Sequence, residues 1–280
     1  MPICRTFCLC FAAVSTLLAA EAPAGKTWLL SVGVSKYQKL PNDLWLQDPD
    51  ADASTFARFL ASPQGGAVPA DQMMVLTNEQ ATTAALRQAF QSFIRERPGK
   101  SDTVFILIAG HGTVDSHGAY ILTYDSDPEN LSNSALPMAE LHTLVEEQLT
   151  KVARVVLLAD VCRAASIAGQ RTTSLGAVVE KIGEAPGEML GLMAARPKEL
   201  SFEGPEFGGG HGAFTYSVLK GLTGAADRDG DGVVTAGELI DFVSADVSKL
   251  TANKQHPRDF GNMENSTPLS DLSKAGIKLE

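Results

Sequence analysis

The stretch Arg154-Val-Val-Leu-Leu-Ala-Asp-Val-Cys162 decides how the rest of the chain is read. Its apolar run is continuous and too short to span a membrane, the pattern of a strand buried on both faces of a parallel sheet. It ends in a carboxylate and a thiol, Asp160 and Cys162. Open α/β sheets place their chemistry at such C-terminal strand tips. A second run of the same kind, residues 104–109, ends in Gly110-His111-Gly112. If these strands lie parallel in one sheet, His111 and Cys162 share a rim, the makings of a thiol nucleophile with its base.

Outward from these two strands, apolar periodicity switches repeatedly between strand and helix spacing. Residues 28–34, 73–76 and 189–195 read as further strands, and residues 119–124 as a brief strand folded back in a hairpin. Helical spacing marks a segment beginning near Asp50, with Asp50 or Asp52 as its cap, then residues 82–97, 138–148, 213–222 and 236–250. The alternation predicts an α/β fold, a mostly parallel central sheet with helices on both faces, as a single domain over residues 27–272. Residues 163–186, rich in Ala, Gly, Ser and Thr, read as a long surface connection, and Gly208-Gly209-Gly210 as a flexible joint.

Composition narrows the function classes. The 280-residue chain carries a net charge of -10, which argues against a nucleic-acid partner, since binding there needs a basic face. Gly33 alone follows the first strand, without a glycine-rich fingerprint or a P-loop lysine, so no nucleotide or other organic cofactor is expected. Residues 1–22 read as a signal peptide: Arg5, an apolar stretch, then the small-x-small site Ala20-Glu21-Ala22. The alternative is a membrane anchor. The signal reading predicts an exported protein, periplasmic or secreted, with no stable membrane insertion after cleavage. Cys4, Cys8 and Cys10 lie in that segment, leaving Cys162 as the one cysteine of the mature chain. A lone thiol in an oxidising compartment is either buried and inert or kept for reactivity.

The neighbours of Cys162 favour reactivity. A free thiol has a pKa of about 8.5 and needs a nearby base to act at neutral pH. His111 is a candidate for that base, and His117 in the next turn is its rival. Gly110 and Gly112 allow close backbone approach, and the N–H groups of Gly112 and Cys162 are candidate donors to an oxyanion. His142, His211 and His256 show no metal spacing and read as surface or helix residues.

Four separated motifs, Ser31-Val-Gly-Val-Ser-Lys-Tyr37, Ala109-Gly-His-Gly112, Asp160-Val-Cys162 and Ala213-Phe-Thr-Tyr-Ser-Val-Leu219, resemble the caspase-like cysteine peptidases of clan CD, in the metacaspase and bacterial caspase-homologue branch of peptidase family C14. The resemblance implies a caspase-hemoglobinase fold, with His111 as general base, Cys162 as nucleophile and a thioester intermediate. It also implies that Asp160 lines the pocket for the side chain preceding the cut, where metacaspases carry aspartate and cleave after arginine or lysine. A desolvated carboxylate suits a guanidinium by charge-assisted hydrogen bonding. Asp52 matches a second acidic pocket position; the plain alternative is a helix cap. Two departures stand out: Ala109 replaces a serine of the pocket wall, and Arg163 replaces the histidine after the nucleophile, where it could pair with Asp160. By family analogy, Arg171 and Lys181 are candidate self-processing sites. The competing reading is a catalytically inactive, calcium-braced binding module on the same scaffold.

One further motif stands apart from this chemistry. Asp227-Arg-Asp-Gly-Asp-Gly-Val-Val-Thr-Ala-Gly-Glu238 fits the twelve-position EF-hand loop. Asp227, Asp229, Asp231 and Glu238 supply carboxylates, Val233 a carbonyl and Thr235 a direct or water-mediated contact. Gly232 falls at the sharp-turn position. The expectation is a structural Ca2+ bracing the last two helices. The metacaspase calcium site is a different acidic cluster, so calcium activation is not carried over.

Overall fold

The computed structural model describes residues 25–163, 187–196 and 199–279, with Cys162 and Arg163 described as backbone. Residues 1–22, the connection at 164–186, and with it Arg171 and Lys181, lie outside the described residues, as does any pairing of the Arg163 side chain. Among the described residues no helix is long and apolar enough to cross a membrane.

The sheet is built from β1 (Thr27–Gly33), β2 (Met73–Thr77), β3 (Thr103–Val114), β4 (Ala119–Ile121), β5 (Leu136–Pro137), β6 (Arg154–Arg163) and β7 (Glu188–Met193), with β11 (Arg258–Gly261) at one edge. Its order is β11-β7-β6-β3-β1-β2, and β4 and β5 extend from the tip of β3. The pairings β7-β6, β6-β3, β3-β1 and β1-β2 are parallel; β11, β4 and β5 join antiparallel. Alternate residues of the same strands feed two separate cores. Leu30, Val104, Ile106, Val155 and Leu157 pack into one, and Leu29, Phe105, Leu107, Val156 and Leu158 into the other. A strand with apolar residues on both sides cannot lie at a wet surface, which is why β3 and β6 read as unbroken apolar runs.

Helices α2 (Thr83–Gln88) and α3 (Met138–Leu149) cover the first face through Leu86, Leu141 and Val145. Helices α1 (Pro49–Ala61), α4 (Ala213–Lys220) and α5 (Ala236–Leu250) cover the second through Phe56, Phe214, Leu239 and Val243. The expected single helix over residues 82–97 is an α-helix only to Gln88. It then widens over Ala89–Ile94 into a turn closed from Arg95 N–H to Phe90 O, which keeps Phe90, Phe93 and Ile94 buried. Likewise α4 stops at Lys220 and widens over Gly221–Ala225, where Gly224 adopts φ 127°.

Four pairings were not expected from the sequence, the first being the short β5 against β4. Strand β11 caps the sheet edge, β8 (Glu203–Gly204) pairs with β9 (His211–Gly212), and β10 (Val233–Thr235) pairs with β12 (Pro268–Asp271). Gly208, Gly209 and Gly210 all have positive φ, so the glycine run forms a defined turn into β9.

Candidate active site

The β3–β6 register fixes the site. Ala109 pairs with Asp160, and two residues further His111 pairs with Cys162. Paired residues on neighbouring strands lie about 4.8 Å apart along the hydrogen-bonding direction, so the histidine and cysteine backbones stand side by side at one rim. Gly112 follows in the same ladder, opposite Arg163 and, on its other side, Ile121 of β4.

His111 is 8% exposed. Its Nε2 lies 2.7 Å from the carbonyl oxygen of Leu44. A carbonyl only accepts, so Nε2 carries the hydrogen and a neutral ring keeps its lone pair on Nδ1. That Nδ1 is buried and has no hydrogen-bond partner among the described residues. Burial holds the imidazole below the ordinary histidine range, partly offset by the Leu44 carbonyl. The ring is therefore a neutral base at physiological pH, with its basic atom kept out of water.

Tyr37 sets the posture of this ring. It stacks on His111 at 5.1 Å between centroids, and its hydroxyl donates to Val34 O while accepting from the His111 N–H at 2.8 Å. Gly110 is required beneath it: its φ is 154°, and a Cβ there would sit 3.0 Å from the tyrosine oxygen. Tyr37→Phe keeps the stack but strands the buried His111 amide. Chemical denaturation is expected to show a loss of about 1–3 kcal/mol, the usual cost of an unsatisfied buried donor. A stability unchanged from the parent would mean that the hydroxyl contributes nothing.

On the face covered by α1 and α4, a pocket opens beside this rim, lined by Ala109, Asp52, Asp160, Phe202, Glu203 and Gly212. Asp160 is buried; its Oδ1 accepts from Ser201 Oγ at 2.7 Å and its Oδ2 from Thr215 Oγ1 at 2.8 Å. Burial raises its carboxyl, against the pull of these donors. Asp52 is not a helix cap. The cap position of α1 is Asp48, ahead of Pro49, while Asp52 lies a turn further in and only 1% exposed. Its Oδ1 meets His211 Nδ1 at 2.6 Å and its Oδ2 accepts from the Gly212 N–H at 3.1 Å. Burial pushes its carboxyl up to about 7; the His211 hydrogen bond opposes the rise and the nearby Asp160 charge adds to it. Gly212 is needed for space, since a Cβ there would come within 2.6 Å of Asp160 Oδ2 and 3.1 Å of Asp52 Oδ2.

Several of these partners are invisible to pattern reading. His211 is neither a surface nor a helix residue but a buried member of β9, paired with a carboxylate far away in sequence. Ser201 and Thr215 are ordinary hydroxyls until the fold brings them to Asp160. Ser201 is itself fixed by Gln255, whose amide donates to Ser201 Oγ and to Ala194 O while its oxygen accepts from Phe202 N. The rival base His117 sits in an exposed turn against Asp115. His142 lies on α3 beside Glu146, and His256 is bonded to Glu199.

The twelve-residue acidic loop lies elsewhere, between α4 and α5. One oxygen from each of Asp227, Asp229 and Asp231 falls within 4.8 Å of the others, and Gly232 has φ 87°. Glu238 begins α5 in a capping box with Thr235 and accepts from Arg228 N–H at 3.0 Å. Val233 and Thr235 are strand residues of β10.

Comparison with known proteins places these observations. A family model described as the caspase domain of peptidase family C14 matches residues 26–265. No curated protein matches the chain. A structural-genomics crystal structure of a Geobacter sulfurreducens protein is similar at a TM-score of 0.58 and 17% identity, covering 90% of this chain and 100% of that one. At that identity the likeness speaks for the fold.

Proposed function

The chain belongs to the caspase-domain family, and from that premise we propose that it is a cysteine endopeptidase cutting after arginine or lysine through a His111–Cys162 dyad. The observation that carries this reading is the buried Nδ1 of His111, without a hydrogen-bond partner among the described residues, on a residue in register with Cys162. The Cys162 S–H gives its proton to that nitrogen, and the thiolate attacks the scissile carbonyl. The N–H groups of Gly112 and Cys162 hold the resulting oxyanion. As the tetrahedral intermediate collapses, the leaving amine takes the proton from His111 and a thioester remains. Water, deprotonated by His111, hydrolyses it and restores the thiol.

The pocket supports the basic preference. Asp52, Asp160 and Glu203 line it, all raised by burial, and no lysine or arginine is among the lining residues described. A substrate guanidinium or ammonium supplies the charge these buried acids lack. Ala109, where metacaspases carry serine, adds no hydrogen bond of its own. The protein or peptide substrate meets the enzyme outside the cytoplasm if residues 1–22 direct export.

The loop at residues 227–238 is proposed to hold a structural Ca2+. Its donors are all oxygens, three carboxylates converge, and the turn glycine has the left-handed conformation the loop needs. Asp227, Asp229, Asp231 and Glu238 would hold the ion with Val233 O and Thr235. The loop would then brace the C-terminal strand as well as the two helices, because β10 pairs with β12.

A positional P1 peptide library, run with and without chelator on the full chain and on Cys162→Ala, tests the whole reading. Arginyl and lysyl peptides are expected to dominate turnover, and Cys162→Ala to give none. Calcium at a hundredfold excess over Kd is expected to add about 2.7 kcal/mol, a rise in melting temperature of roughly 5–10 °C. Preference for an acidic or neutral P1 would overturn the substrate assignment, and a melting curve blind to calcium would overturn the metal.

A further inference from the structure

His211 has no part in the chemistry described above, yet it is the one basic side chain that faces the pocket acids among the described residues. It lies in β9, whose partner strand β8 carries Glu203, so the hairpin presents Glu203, His211 and Gly212 together. The side chain is 10% exposed and sits against α1, where its charge acts on both Asp52 and Asp48, one turn apart. The other titratable groups facing this cluster are Asp50, Asp160, Glu203 and Glu206, and all of them are acids. Asp52 thus has one oxygen on the imidazole and the other on the Gly212 amide, next to Asp160.

We propose that His211 is a specificity-determining residue, donating from Nδ1 to Asp52 so that the second oxygen of this carboxylate stays turned toward a P1 cation. The proposal rests on the basic-P1 reading above. Its physical basis is competition. Burial and the Asp160 charge drive a proton onto Asp52, while the His211 hydrogen bond and charge drive it off. Because the two sides balance near neutrality, removing the imidazole tips Asp52 to the neutral acid. A neutral carboxyl beside the P1 group offers a guanidinium no charge and presents a competing donor.

The test is binding of agmatine, which carries the arginine side-chain guanidinium, to the full chain bearing Cys162→Ala, by calorimetry between pH 6 and 9. With His211 intact, affinity is expected to rise through neutral pH. His211→Ala is expected to bind about tenfold more weakly at pH 7, roughly the effect of one charge-assisted hydrogen bond, and to recover toward pH 9. His211→Gln keeps an N–H donor without the charge, and is expected to fall between and to preserve the fold should the alanine variant not. A purely structural role would change affinity without moving the pH midpoint. Superimposable pH profiles for the parent and the glutamine variant would overturn the role of His211 and leave the basic pocket standing. A parent that ignores agmatine, together with a neutral P1 preference in the peptide library, would remove the pocket assignment and this inference with it.

Discussion

Replacing His111 with alanine is expected to lower kcat/KM on an arginyl peptide by roughly 10²–10⁴-fold, the usual contribution of a positioned base. The loss should fall on kcat, because His111 does not line the pocket that holds the P1 side chain. The same variant should move the pH of half-maximal iodoacetamide alkylation of Cys162 toward that of a free thiol, about 8.5. Burial holds the imidazole below its ordinary range, so kcat at saturating substrate should persist down to mildly acidic pH rather than fail near 6.5. Unaltered alkylation and turnover in the alanine variant would mean that Cys162 draws its reactivity from elsewhere. An inactive binding module would show neither turnover nor alkylation at neutral pH in the parent.

Asp160→Asn should raise KM for arginyl and lysyl peptides by roughly 30- to 1000-fold, equivalent to about 2–4 kcal/mol for removing one partner of a buried charge pair. The amide can keep the contacts to Ser201 and Thr215, so the fold should survive. Proton linkage gives the pocket a second signature. Burial first, and then Asp160, raise the Asp52 carboxyl to about 7, so below that pH the free pocket holds a proton that a cationic side chain must displace. KM for a basic P1 should therefore fall as pH rises through about 7, and Asp52→Asn should flatten that dependence. Stability runs the other way. A carboxyl raised on folding contributes most below its unfolded pKa, about 3.9. That contribution is lost as pH rises through the folded value. A KM that rises with pH across neutrality would contradict the linkage.

How much of this was legible in the sequence depended on whether residue identity or backbone did the work. Strands β3 and β6 are buried on both faces, so each announces itself as an apolar run, and His111 and Cys162 stand out as polar groups at the ends of those runs. Strand β11, with two charged residues in Arg258-Asp-Phe-Gly261 and both of them exposed, carries no alternation to detect. The widened turns after α2 and α4 keep apolar residues buried at nearly helical spacing, which periodicity cannot tell from an α-helix. The partners of His111 and of the pocket acids were hidden for a related reason. The Leu44 carbonyl and the Gly212 N–H are backbone groups that every residue but proline's nitrogen offers. His211 meets Asp52 across 159 positions of chain, with no local pattern to mark the pair.

On the proposed reading, the β3–β6 register ties recognition to scission. Asp160 with Ala109, and Cys162 with His111, occupy rungs two residues apart on one ladder. One pleat repeat, about 6.6 Å, would then be the ruler that separates the grip on a side chain from the cut at its own carbonyl. The lower rung can be rewritten for a different cargo while the blade above it stays where the ladder holds it. A slip of the two strands by a single residue would blunt both at once.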